Sequence, residues 1–600
     1  MPSFKYGLVV VWLLFVLGMY APFIWNGGPV VDDWSIINAA QQHTGFKSVY
    51  ASLFPQFSNR PLAPALFAVA SMSFGKHVMP YIILNSLLWL SAVIAVAYVL
   101  KRFLGDIAAS VFFAIAAIPS FSSTVVFSSA VMLMGSASVF FWALSLILLL
   151  GYLKKEQLVY SVLSALCLLI SVLLYEASLP LFIINALVPL IKHGEVAARR
   201  ARASPEVFDL EAQTRKAMAR RARKSEYISY FLRYIVPILL VVLIVFIYQK
   251  LIIPGFFEDI SRLRFRGWAI IPAAISKFLF VMLMDIPILL WRALLRLAWL
   301  SPLSLGSMAV MAVYLLARMP ACQRRSVAMA GRRRGHSQSG NRSESGSSQL
   351  LKIIGMALAG VAVFYALAGT LPTIHGYDNR GLIGFQILAA GLVGCLSLYV
   401  RANTKILGYG IVIFVLLHAA SFGIQRDNYI DAYKVQMNIY KDVAEKVSSA
   451  HLPADNFVLV NVPTYLTDNY NNEPVFSDEL DAKVAIADGP SAPGIRLTKR
   501  RIDFNRAVIQ DADVISDDFR GKIANAWYYL SRQDSTDSSL IKIKDAEHTR
   551  RIFDEIIGGN QPLALPFDGW FKAVEWYVRY INIPDITPYY MRYRARWAYN

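Results

Sequence analysis

IAASVFFAIAAIPSFSSTVVFSSAVMLMGSASVFFWALSLILLLGYL, residues 107–153, contains no Asp, Glu, Lys or Arg. A helix needs about 20 mostly apolar residues to cross the hydrocarbon core of a bilayer. The stretch is long enough for two such helices, and the segment from Pro119 to Ser129 reads as the hinge between them. That reading decides the fold class: mainly α, a polytopic transmembrane helix bundle. Working outward, 7–24, 79–100 and 381–400 each hold an uncharged run near spanning length. Residues 157–191 carry one charge, Glu176, and read as two short spans around it. With 234–253, 297–317, 353–371 and 406–424, the count reaches about 11 spans. A composition with 56% hydrophobic and 16% charged residues agrees and excludes an ordinary soluble domain.

Orientation follows from where Lys and Arg collect, because cytoplasmic loops carry the excess. Lys101-Arg102, Lys154-Lys155, the basic insert 193–232, the basic loop 319–352 and Arg401 to Lys405 fall on one side by alternation. The N-terminus is therefore expected in the cytoplasm and residues 426–600 outside it. The formal charge of +19 is explained by loops beside anionic lipid headgroups, so no nucleic-acid partner is required. Residues 331–349, rich in Ser and Gly, read as a disordered loop. Residues 269–291 are apolar but contain Lys277 and Asp285, each costing roughly 2.5–3.5 kcal/mol near the bilayer centre. An interfacial helix with Arg292 and Arg296 at the headgroups fits better. Beyond the bundle, Asp427 to Ser449 continues as a helix, and Phe457 to Pro463 reads as a strand opening a small soluble α/β domain. Cys167, Cys322 and Cys395 all precede that domain, which therefore has no disulfide of its own.

The chemistry-bearing residues gather in loops opposite the basic ones. The first external loop, 25–78, holds Asp32-Asp33-Trp34 and then Asn59-Arg60-Pro61; its Leu62 to Phe74 reads as a helix lying along the surface. Adjacent carboxylates can act as a general base or cap a helix. Arg60 can grip a phosphate by paired hydrogen bonds or snorkel to lipid headgroups. Tyr175-Glu176 places the one ionisable residue of its apolar stretch at the edge of the membrane, where such a group marks a functional site by default. The loop 371–381 concentrates His375, Tyr377, Asp378 and Arg380, a set suited to an anionic ligand or to interfacial anchoring. No P-loop, dinucleotide-binding fingerprint, HExxH or CxxC occurs, so ATP-driven pumping and a zinc site find no support.

A first span followed by Val31-Asp-Asp-Trp34, Asn59-Arg-Pro-Leu62, Phe74-Gly75 before Tyr81-Ile-Ile-Leu-Asn85, Tyr175-Glu176 and the Arg380 loop resembles the GT-C class of integral-membrane glycosyltransferases. The resemblance covers residues 1–425, which would form the GT-C-like transmembrane domain. It implies a multi-pass protein of a bacterial inner membrane, with residues 426–600 in the periplasm. It implies transfer of a sugar from a polyprenyl-phosphate donor to a glycan, lipid-linked glycan or protein acceptor, by single displacement with inversion. Asp32 or Asp33 would then be the base; Arg60, Arg380 and His375 would hold the donor phosphate. Trp34, Tyr175, Glu176, Tyr377 and Asp378 would line the site. A divalent metal assists some relatives and would suit paired carboxylates, so metal use stays open. Two rival readings keep the same spans: a polymerase or ligase of lipid-linked glycans, and a flippase or transporter, which predicts paired broken helices in two halves.

Overall fold

The computed structural model describes residues 3–29, 33, 36–37, 43–186, 188–189, 233, 235–253, 270–332, 354–358, 360–362, 364–365, 377–399 and 405–449, and short strands between 457 and 542. The helices, in chain order, are α1 (Ser3–Asn26), α2 (Phe46–Leu53), α3 (Leu62–Phe74), α4 (Val78–Leu104), α5 (Asp106–Ala116), α6 (Leu133–Lys155) and α7 (Leu158–Leu174). They continue with α8 (Val236–Ile247), α9 (Ile270–Phe280), α10 (Ile286–Leu295), α11 (Pro302–Arg332), α12 (Ile383–Leu396) and α13 (Lys405–Ser449).

Among the described residues, six helices are long and apolar enough to cross a membrane: Leu8–Asn26, Val78–Leu104, Leu133–Lys155, Phe278–Leu295, Asn379–Leu396 and Ile406–Asp431. Five of these coincide with spans read from the sequence. The sixth, Phe278–Leu295, falls on the stretch 269–291 expected to be an interfacial helix and has the length and hydropathy of a span. It accommodates Asp285 by burying it completely inside the protein, at the end of a π turn, Val281–Asp285. Shorter apolar helices cover Leu62–Phe74, Asp106–Ser122, Leu158–Leu174, Glu176–Ala186, Val236–Ile247 and Pro302–Arg318.

Local chemistry explains the reversals. Gly105 ends α4 and starts α5 at φ 94°, a conformation that a Cβ would make costly. Asp106 opens α5, where a carboxylate favours the helix N-terminus, and pairs with Lys101 at 2.8 Å. Serines join α6 to α7: Ser138 donates to Ser171 O and Ser171 to Ser138 O, both at 2.8 Å, and Ser164 donates to Ser145 O at 2.9 Å. Small hydroxyl residues let two helices approach closely where lipid offers no hydrophobic drive. Arg426, fully buried in α13, donates to Met19 O at 3.0 Å and Ser304 Oγ at 2.9 Å, tying α13 to α1 and α11.

These contacts also fix which ends lie together. The C-terminal end of α1, the N-terminal ends of α4, α6 and α12, and residues 418–429 of α13 all meet the segment 117–132. The opposite ends carry Lys101, Arg102, Lys154 and Lys155.

Helix α11 continues to Arg332, so the first part of the expected loop 319–352 is helical. Helix α13 runs unbroken from Lys405 to Ser449, through position 425 where the bundle was expected to end. The strand expected from Phe457 is present as β1 (Phe457–Asn461). It pairs parallel with β5 (Ala526–Ser531), which pairs antiparallel with β6 (Ser538–Lys542). A second sheet joins β2 (Ile509–Gln510), β3 (Asp513–Ser516) and β4 (Phe519–Lys522). The insert 193–232 and the Ser/Gly-rich 333–349 lie outside the described residues.

Candidate functional site

The expected hinge at Pro119–Ser129 is a buried, largely non-helical segment. Residues 117–132 are all buried, and within them only Thr124–Phe127 make an α-helical turn. Backbone outside a helix is tolerated at membrane depth only if protein groups satisfy it. Here side-chain amides and hydroxyls do so. Asn85 of α4 donates to Val125 O at 2.8 Å and Val126 O at 3.3 Å. Gln386 of α12 accepts from Phe121 N at 3.1 Å, and Asn379 accepts from Thr124 N at 3.1 Å. Gln425 of α13 donates to Ser120 O at 3.0 Å. His418 Nε2 lies 3.0 Å from Ile115 O, a carbonyl that can only accept, so Nε2 carries the proton and Nδ1 accepts from Ser120 Oγ at 2.6 Å.

Asp33 belongs to this scaffold. Its side chain is 0% exposed, and its Oδ1 accepts from Ser128 Oγ at 2.9 Å, Ala130 N at 2.9 Å and Val131 N at 2.8 Å. The carboxylate thus binds the first loop to the residues just ahead of α6. Asp32 and Trp34, the neighbours read as base and lining residue, lie outside the described residues.

One turn further, Met134 of α6 meets Arg60, whose Nη1 lies 3.9 Å from Met134 Sδ. Arg60 stands just before α3, with its own N–H bonded to Phe57 O at 2.7 Å. The backbone around it is held from α8's end, where Tyr248 donates to Ser58 O at 2.8 Å and Gln249 to Asn59 O at 3.2 Å. The guanidinium grips Glu176 in a fork: Nε to Oε2 at 2.7 Å and Nη2 to Oε1 at 2.5 Å. It also stacks over the Tyr175 ring at 4.5 Å. Both charged side chains are mostly covered, at 18% and 20% exposure. Burial alone lowers Arg60 and raises Glu176, but the opposite charge facing each outweighs it. Arg60 is therefore held above the ordinary arginine value and Glu176 below the ordinary carboxylate value.

Arg380, in the turn Tyr377–Leu382, is near enough that its charge acts on both members of the pair. The structure thus brings together Arg60, Tyr175, Glu176 and Arg380, and Asp33 is bonded to Val131 N, three residues before their contact at Met134. His375 and the side chains of Tyr377 and Asp378 lie outside the described residues. Among the described residues, no group of three or more His, Cys, Asp or Glu side chains could hold a metal ion.

The residues that sequence reading passed over are the scaffold amides: Asn379, Gln386, Gln425, with His418 and Tyr429, whose hydroxyl meets Thr124 Oγ1 at 2.8 Å. Their signal was available, since an amide or imidazole inside an otherwise apolar run has to find a partner. Against known proteins the chain finds no counterpart: no family model, no curated protein and no solved structure matches it.

Proposed function

We propose that the chain is an integral-membrane glycosyltransferase of the GT-C kind, using a polyprenyl-phosphate sugar at the non-cytoplasmic face of a bacterial inner membrane. One observation carries the reading: three charged groups from three distant loops, Arg60, Glu176 and Arg380, converge at the end of the bundle opposite its basic termini. The excess of cations at the other end marks it as cytoplasmic, which makes the polar end periplasmic. Helix α13 then carries the C-terminal strands outward on the site's side. The shorter apolar helices complete about eleven spans, with some crossing only part of the bilayer.

The donor's phosphate sits between Arg380 and the Nη1 edge of Arg60, the edge that Glu176 leaves unused. Glu176 fixes the plane of the guanidinium and tempers its charge, so that phosphate is held while attached to sugar and released afterwards. Two cations beside the departing oxygen stabilise the charge that builds there in the transition state. The acceptor hydroxyl attacks the anomeric carbon as the carbon–oxygen bond to phosphate breaks, inverting that centre. The hydroxyl proton passes to a carboxylate, and the electron pair of the broken bond leaves with the polyprenyl phosphate. Asp33 has one oxygen already accepting three hydrogen bonds, so its role is positioning and the base is Asp32. A hard metal ion, if used, would draw on Asp32 and would add charge stabilisation at the leaving phosphate.

Membrane preparations given a panel of polyprenyl-phosphate sugars and cell-envelope acceptors test this by the release of free polyprenyl phosphate. General-base help is worth about 10²–10⁴-fold, so Asp32→Asn reduces release by at least about 100-fold while the protein accumulates normally. Undiminished transfer in both Asp32→Asn and Asp33→Asn variants removes the mechanism. Reporter fusions at Ser345 and after Asn600 land on opposite faces; a shared face removes the sidedness.

A further inference from the structure

The basic end of the bundle holds a groove that the transferase reading does not use. An open groove runs between α4, α5, α6 and α12, walled by Val99, Phe103, Phe112, Trp142, Leu146 and Ile387. Every residue lining it is apolar, and the one polar side-chain atom among them, Trp142 Nε1, is bonded to Leu181 O at 3.1 Å and Asn185 Oδ1 at 2.9 Å. A ligand there has no hydrogen bond to gain. The groove suits a hydrocarbon chain.

Its rim has the opposite character. Helices α4 and α6, which wall the groove, end in Lys101-Arg102 and Lys154-Lys155. Two of these four cations are engaged: Lys101 with Asp106 at 2.8 Å, and Lys155 with the Tyr160 hydroxyl at 2.8 Å. Arg102 and Lys154 are exposed and have no recorded partner among the described residues. Arg102 lies three residues beyond Val99 and Lys154 eight beyond Leu146, rises of about 4.5 and 12 Å along their helices. Lys154 lies beyond the apolar walls, and Arg102 stands beside Phe103 at the end of the groove. An apolar slot capped by free cations is complementary to an amphiphile with a negative head.

We propose that this groove binds one acyl chain of an anionic phospholipid from the leaflet at the basic end, its phosphate held by Arg102 and Lys154. Anionic lipids are enriched on the side where basic loops collect, and basic pockets between membrane helices bind their headgroups. The tail of a polyprenyl donor fits the walls equally well but not the rim. Its phosphate belongs with Arg60 and Arg380, at the other end of the bundle. The bound chain would fill the space between α4, α6 and α12, the same helices that supply Asn85, Met134 and Gln386 to the site. This inference needs only the membrane reading, not the chemistry proposed above.

The full chain, extracted in mild detergent, is examined by native mass spectrometry and by analysis of co-purified lipid. The expected result is about one retained phosphatidylglycerol or cardiolipin per chain, in keeping with one apolar slot. Arg102→Gln with Lys154→Gln lowers retention about thirtyfold, and Val99→Phe, which fills the groove, lowers it as far. Because the two polar substitutions lie on exposed side chains, they decide the matter even if Val99→Phe misfolds. Unchanged anionic-lipid retention in the double variant overturns the proposal. So does equal retention of phosphatidylethanolamine, or a retained species that proves to be polyprenyl phosphate.

Discussion

The two ends of this bundle solve the same problem in opposite ways. At the basic end, helices stop at charged last turns, the cations reach solvent, and the space between helices is lined by hydrocarbon alone. At the other end the backbone leaves the helix inside the protein, and side-chain amides and the Asp33 carboxylate bond its N–H and C=O groups at Ser120, Phe121, Thr124, Val125, Val126, Ala130 and Val131. The first end needs only that charges avoid lipid. The second keeps polar groups buried, which is stable only when each finds a partner. The difference teaches where chemistry belongs in such a fold: in the end whose irregular backbone has been made rigid.

The largest effect that would break this contrast is the loss of transfer in Asp32→Asn, read as release of polyprenyl phosphate. Next is the Arg60–Glu176 pair. Arg60→Ala leaves a mostly covered carboxylate without its fork, so a destabilisation of about 3 kcal/mol is expected, the low end for breaking a buried pair. Replacing both partners, Arg60→Met with Glu176→Met, should restore most of that stability, since well-packed apolar groups often substitute for a buried ion pair. Transfer should stay abolished in the double variant, because the proposed phosphate site has lost its cation. Recovery of both would reduce the pair to a structural staple. The pH dependence has a definite sign. Glu176 is held below its ordinary value, so its stabilising contribution is complete above the unfolded-state value near about 4.3. It is lost as pH falls through the lower folded-state value. Thermal unfolding in detergent should show this acid-side loss in the wild type and not in the double Met variant.

Smaller, and confined to the scaffold, is Asp33→Ala. It leaves the Ala130 and Val131 N–H groups without their acceptor, at about 1–3 kcal/mol for an unsatisfied buried group. Melting temperature should fall and residual turnover should keep its pH profile. A changed pH profile would instead move the base to Asp33.

How much of this was legible beforehand depends on the range of the interaction. The hinge in 107–153, helix α3, the strand at Phe457 and the importance of Arg60 and Glu176 as single charges were visible, because length, hydropathy and isolated charge are local properties. The fork between Arg60 and Glu176 was not, since 116 residues separate them and only the packing of α3, α6 and α7 brings them together. Asp285 entered the reading of 269–291 as a cost against lipid, whereas the fold buries it in protein. Asn379, Gln386 and Gln425 went unread because their partners are carbonyls and N–H groups of an irregular segment, which no residue pattern announces.

The smallest effect is the sharpest test of the contrast, because it sets like against like. Lys101–Asp106 at the basic end is an ion pair at 2.8 Å, as close as a good pair can be, yet its side chains are 44% and 56% exposed. Arg60–Glu176 is a similar pair at 18% and 20% exposure with a second hydrogen bond. Exposed pairs gain little over hydration and contribute about 0–1 kcal/mol. Lys101→Gln should therefore shift the melting temperature by less than the scatter of the measurement, and added salt should not change the result. The same salt should leave the Arg60–Glu176 pair intact, since covered charges are screened far less than exposed ones. A Lys101→Gln loss as large as that of Arg60→Ala would mean that distance, not burial and the fork, governs both pairs, and the two ends would no longer differ in kind.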